Sequence, residues 1–134
     1  MGGNRRMDIE NCIKSLAVFL FGQDNLNILY ALIVLVVLDY VTGVCVAIKD
    51  GKLSSTIGAK GISRKVVIFA LVALSNIADR YFLSSAGALE AVTILFYCAN
   101  EAISILENAC KMGVPIPQKL RNTLESFKNK NEEG

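Results

Sequence analysis

The chain has neither histidine nor tryptophan among its 134 residues, and only two prolines. Without histidine, the usual acid/base relay and the commonest metal ligand are missing, and no serine or cysteine has an imidazole to activate it. The four cysteines (Cys12, Cys45, Cys98, Cys110) are widely scattered with no C-x-x-C pair, which argues against a zinc knuckle and a disulfide framework. Charge of one sign is lacking too: 14 Lys and Arg against 12 Asp and Glu leave only +2, too weak for a chain that wraps a nucleic acid. Gly51-Lys52 lacks the following Ser or Thr of a phosphate loop, and Val46 stands where its first glycine belongs. No catalytic group, metal or cofactor is expected.

What is present in excess is apolar surface. Hydrophobic residues make up 53% of the chain and the mean hydropathy is +0.46, beyond the range of an ordinary soluble domain. Leu26 to Ile48 has Asp39 as its one ionisable member. At about 1.5 Å per residue it crosses a hydrocarbon core of about 30 Å. About fourteen Leu, Ile and Val residues outweigh that Asp on the insertion scale. A second span starts near Val66 and runs to Leu83, turning polar at Ser75, Asn76, Asp79 and Arg80. A third, from about Ala86 to Asn108, barely offsets Glu90, Asn100 and Glu101 and needs protein or water on one side.

The expected fold is an all-α integral membrane protein with three transmembrane helices at about 26–48, 66–83 and 86–108. They are preceded by an N-terminal interfacial segment, 1–25, and followed by a charged tail, 111–134. Ile9, Ile13, Leu16, Ala17 and Leu20 recur at helical spacing, predicting an amphipathic first helix on the membrane surface. The apolar run Ile13 to Phe21 is too short to span unless the helix extends, which would make four crossings. Asp8 and Glu10 argue against a signal peptide, and position six of MGGNRR lacks the Ser or Thr of a myristoylation signal. After Gly113, Pro115 and Pro117, the residues Ile116, Leu120, Leu124 and Phe127 mark a short amphipathic helix, and residues 128–134 read as solvated and mobile. Lys49, Lys52, Lys60, Arg64 and Lys65 fall between the first two spans, and Lys111, Lys119, Arg121, Lys128 and Lys130 follow the third. By the excess of cations on cytoplasmic loops, that loop and the C-terminus are expected in the cytoplasm. Arg5 and Arg6 pull the other way.

Within the third span Glu90, Thr93, Tyr97, Asn100, Ser104, Glu107 and Lys111 recur at alternating spacings of three and four, on one helix face, with Glu101 beside them. A polar stripe of that length faces other helices or water. With three spans there is little interior to hide it, so oligomer contact or a lumen is favoured over a hydrogen-bonded seam inside one chain. Asp39 lies near mid-span with no cation at matching depth in its own helix, and is therefore neutral, paired with another helix, or wet. Thr42 and Gly43, with Ala47 one turn on, form a small-residue face beside it that favours a helix seam.

Three segments resemble the toxin-secretion and phage-lysis holins, the phage holin 4 family. They are Leu38-Asp39-Tyr40-Val41-Thr42-Gly43, Lys60-Gly61-Ile62-Ser63-Arg64-Lys65, and Asn100-Glu101 through Ser104-Ile105-Leu106-Glu107-Asn108-Ala109 followed by Gly113-Val114-Pro115-Ile116-Pro117. The resemblance covers about residues 26–125. It implies a non-enzymatic protein of the host bacterium's cytoplasmic membrane that forms homo-oligomers in the bilayer. These open holes for an endolysin or a large toxin, and so time lysis, with an antiholin as regulator. Met7, following Arg5 and Arg6, is in place for the second start that holins often have. The competing readings are a small proton-coupled transporter dimer using Asp39 or Glu101, and an antiholin of the same family.

Overall fold

The computed structural model describes residues 2–133, and among them there are only helices and the turns that join them. In chain order these are α1 (Gly2–Phe21), α2 (Leu26–Lys49), α3 (Ser55–Ala78) running on into a π-helical turn (Asp79–Leu83), α4 (Ala88–Lys111) and α5 (Gln118–Glu133). Three stretches are long and apolar enough to cross a membrane: Leu26–Lys49, Ser55–Leu83 and Ala88–Lys111. α1, at 20 residues, is not apolar enough to be among them.

The ends of the helices are written in local chemistry. Both α2 and α4 stop where a glycine takes up positive φ, Gly51 at 66° and Gly113 at 80°. In each case the next residue donates back five positions, Lys52 to the Ala47 carbonyl at 2.9 Å and Val114 to that of Ala109 at 3.0 Å. This closes the last turn and satisfies carbonyls that would otherwise be orphaned. α3 begins at Ser55, well before the apolar run at Val66, because Ser54 caps it by accepting from the Ile57 amide at 3.2 Å. Lys60, Arg64 and Lys65 are therefore helical residues, where the hydropathy pattern placed them in a loop.

The three spans share one apolar core, made by Leu29, Leu32 and Val36 of α2, Ile68 and Val72 of α3, and Ile94 of α4. It is small. Most of the large apolar side chains on the spans point outward, among them Val34, Val37, Val41, Val66, Val67, Leu74 and Val92. A water-soluble domain does not expose a patch of that extent, whereas a bilayer accommodates it. α1 leaves Met7, Ile9, Ile13, Leu16 and Phe19 exposed and docks by its last turn, where the Phe21 ring meets Phe69 of α3 edge-on at 6.3 Å. The short amphipathic helix expected after Pro117 is present, and it continues through residues 128–133, where composition predicts a mobile tail. α5 folds back on α4, half-burying Arg121, Leu124 and Lys128 on one face, with Arg121 Nη2 3.1 Å from Cys110 Sγ.

Candidate functional site

Each span turns one stripe inward, and all three stripes share a pattern: apolar in the middle, polar at both ends. On α2 it runs from the flanking Asn25 through Leu29, Leu32 and Val36 to Asp39 and Thr42; on α3 from Lys65 through Ile68 and Val72 to Asn76 and Asp79; on α4 from Glu90 through Ile94 to Glu101 and Asn108. The spacing is three or four residues on α2 and α3, and four then seven on α4, so each stripe stays on one face. Because neighbouring spans run antiparallel, the polar ends meet in two clusters on either side of the core.

One cluster gathers where α1, α3 and α4 end or begin. Asn76 donates Nδ2 to the Phe19 and Leu20 carbonyls at 3.2 and 2.9 Å, satisfying the C-terminal turn of α1. Asp79 serves the start of α4, accepting from the Leu89 and Glu90 amides at 3.2 and 2.7 Å and from the Ser85 hydroxyl. It acts as an N-cap lent by a different helix. Asn25 donates to the Gly87 carbonyl and to Glu90 Oε2, both at 3.0 Å. Glu90 is almost fully buried, and its second oxygen, Oε1, has no partner.

The second cluster is the candidate site. The Lys65 ammonium contacts the Asp39 carboxylate on one side and that of Glu101 on the other. All three side chains are nearly buried, at 13%, 12% and 5% exposure. Asn108 extends the network: its Nδ2 lies 3.2 Å from Asp39 Oδ1 and 3.0 Å from Thr42 Oγ1. The Thr42 hydroxyl in turn donates within its own helix, to the carbonyl of Leu38 or Asp39. Gly43 adds the close approach, since a Cβ there would stand 3.8 Å from Asn108 Nδ2. Of the three states open to Asp39, the structure selects pairing with another helix. The cation between the two carboxylates offsets part of the desolvation of all three. Lys49 closes the same end of the bundle by donating to the Lys111 carbonyl at the C-terminus of α4.

The predicted stripe on α4 divides in two. Glu90 and Glu101 are buried within the chain, and Thr93, Tyr97, Asn100 and Ser104 are half-buried. Glu107 is exposed. Asn100, Ser104 and Glu107 line a polar cavity of about 390 Å³ closed by Arg64 of α3 and by Lys128 and Glu132 of α5. The inward residues Glu101 and Asn108 are thus offset by one position from the stripe read by spacing. From sequence Lys65 is only a topology-determining cation, and Asn76, Asp79 and Asn108 carry no site role; the signal on α3 was Asn76 and Asp79, three residues apart within an apolar span. Among the described residues no group of acids and cysteines could hold a metal ion.

This membrane architecture has relatives. The Bacteriophage holin family matches residues 15–129, nearly the whole chain, and the protein belongs to that family. It is 39% identical to an uncharacterised protein of Clostridium perfringens strain 13, over 90% of this chain and 93% of that one. It is 40% identical to an uncharacterised protein of Halalkalibacterium halodurans, over 82% and 84% of the two chains. With a protein of Bacillus phage phi105 named as a probable holin it shares 35% identity, over 86% of this chain and 83% of the phage protein. No solved structure matches the chain.

Proposed function

We propose that the chain assembles in the bacterial cytoplasmic membrane into homo-oligomers that open holes for an endolysin or a large toxin, and so sets the time of lysis. The observation that carries this reading is the polar face of α4, where Asn100, Ser104 and Glu107 flank the buried Asp39, Lys65 and Glu101 ions and border a polar cavity. Lipid cannot satisfy such a face. In one chain Lys128 and Glu132 of the charged α5 border it; in an assembly the same residues of a second copy, or water, take that place. α2 and α3 supply the secure insertion, α4 the reason to associate, and assembly is driven by concentration. Rotation of the polar faces towards a common space then admits water. The basic residues Lys49, Lys52, Lys60, Arg64 and Lys65, with those of α5, hold the α2–α3 connection and the C-terminus in the cytoplasm.

The test is induction of this gene alone in a bacterium while membrane potential is followed, with and without a co-expressed endolysin. The expected result is a delay, an abrupt collapse of potential, and lysis only when the endolysin is present. Asn100→Leu and Glu101→Leu insert normally but delay the collapse; wild-type timing in both overturns the reading. Saturable movement of a small substrate without collapse favours the transporter dimer, and delayed lysis on co-expression with a second holin favours an antiholin.

A further inference from the structure

A groove opens between α2 and α3, with Ser104 and Asn108 of α4 also in its lining. Its volume is about 220 Å³, and its walls are Gly43, Val44 and Ala47 of α2 against Ile57, Gly58 and Gly61 of α3. Tyr40 packs against both glycines: a Cβ on Gly58 would stand 3.4 Å from the Tyr40 hydroxyl, and one on Gly61 3.5 Å from its ring, both ordinary contact distances. At the deep end are Asp39 and Lys65, already paired with each other. At the rim is Arg64, with Lys60 one turn before it on the same face of α3. Among the described residues the ion pairs run only through Lys65, so neither Lys60 nor Arg64 has a carboxylate within salt-bridge reach.

Depth identifies the ligand. The Ser55–Leu83 span has 29 residues, about 43 Å of helix against a hydrocarbon core of about 30 Å. Because the apolar run of α3 begins only at Val66, after Lys60, Arg64 and Lys65, its first turns belong at headgroup level, and the Arg64 side chain is long enough to reach back to it. An apolar slot with two unpaired cations at headgroup level fits an acyl chain beneath a phosphate. We propose that this groove binds one anionic phospholipid, its phosphate held by Lys60 and Arg64 and part of an acyl chain lying along Ala47, Ile57 and Gly61. The proposal is independent of hole formation and of which leaflet the hairpin faces.

Native mass spectrometry of the full chain in a non-ionic detergent, titrated with phosphatidylglycerol or phosphatidylcholine, tests it. Two basic groups at about fivefold each give an expected preference for phosphatidylglycerol of about thirtyfold, at one lipid per chain. Lys60→Gln, at an exposed position with little bearing on folding, lowers that preference about fivefold, and Lys60→Gln with Arg64→Gln abolishes it. Ala47→Phe fills the slot and loses the lipid while keeping both cations. Equal retention of the two lipids, unchanged retention in the double variant or in Ala47→Phe, or displacement by millimolar inorganic phosphate overturns the proposal.

Discussion

Lys65 and Glu101 lie 36 residues apart in sequence and meet inside the bundle, where the same ammonium also holds Asp39 of α2. One cation thus ties three spans together at a depth where none of the three groups could stand alone. Its removal leaves two carboxylates facing each other, so Lys65→Met destabilises the bundle by about 3–5 kcal/mol, the usual cost of breaking a buried pair from one side. Asp39→Asn leaves a neutral pair and keeps the bond to Asn108, so it costs less than about 1.5 kcal/mol. The discriminating variant is the triple Asp39→Asn, Lys65→Met, Glu101→Gln, which regains most of the loss because no charge is left unpaired. Resistance to denaturation in detergent, followed by circular dichroism, checks the order; a triple variant as unstable as Lys65→Met would show that the ions are not the cause.

Much of this fold was legible in the sequence, for physical reasons. The Leu26–Ile48 run, with a single acid, has one stable place for its surface, and α2 matches it closely. The third span was less secure by hydropathy, but its end was marked by Gly113, Pro115 and Pro117. The start of α3 was not, because Ser54 caps the helix eleven residues before hydropathy rises, and cation counting then treats Lys65 as a loop residue. The partner of Asp39 was hidden for the same reason. Spacing gave the polar face of α4 but not its phase: spacings of three and four tolerate a drift of one residue, and only contact with α2 and α3 decides that Glu101 and Asn108 turn inward. The docking of α5 was invisible to composition, since its few apolar residues do not form a core alone.

Asn76 predicts how α1 is held. It satisfies two carbonyls at the end of α1, beside Gly22, whose φ of +64° and 3.0 Å clearance to Asn76 Oδ1 admit no side chain without strain. Asn76→Leu and Gly22→Ala each loosen the α1 attachment by about 1–2 kcal/mol and leave the spans in place. Limited proteolysis of protein in bilayer discs then cuts after Phe21 several-fold faster than in wild type, with α2 to α4 intact. Equal cutting rates would mean that the Phe21–Phe69 contact alone fixes the helix.

Asp79 predicts the fate of the marginal span. Because α4 carries Glu90, Asn100 and Glu101, its insertion balance is close to zero, and the loss of a cap worth about 0.5–2 kcal/mol shifts it several-fold. Asp79→Ala, which strips the Leu89 and Glu90 amides and the Ser85 hydroxyl of their acceptor, therefore lowers the fraction of chains with α4 across the membrane. Ser85→Ala, which leaves both amide bonds, has a smaller effect. Labelling of a cysteine placed near Lys111, from each side of the membrane in turn, reads that fraction; equal labelling in Asp79→Ala and wild type rules the cap out.

α5 competes with a second copy for the polar face of α4. Its Lys128 and Glu132 share a cavity with Asn100, Ser104 and Glu107, and the Arg121–Cys110 contact is its polar tie to α4. Leu120 and Phe127 remain exposed, so little apolar burial holds it down, and the cover is one that another helix can displace. Truncation after Pro117 uncovers the face in every chain and raises the population ready to associate. Cross-linked oligomers then appear at a lower expression level, and collapse of membrane potential comes earlier than in the full chain. The truncation also removes Lys119, Arg121, Lys128 and Lys130, so the control is Leu124→Glu with Arg121→Ala, which weakens docking while keeping most of the tail's cations. Earlier collapse in both variants assigns the effect to the uncovered face; earlier collapse in the truncation alone assigns it to the lost charge.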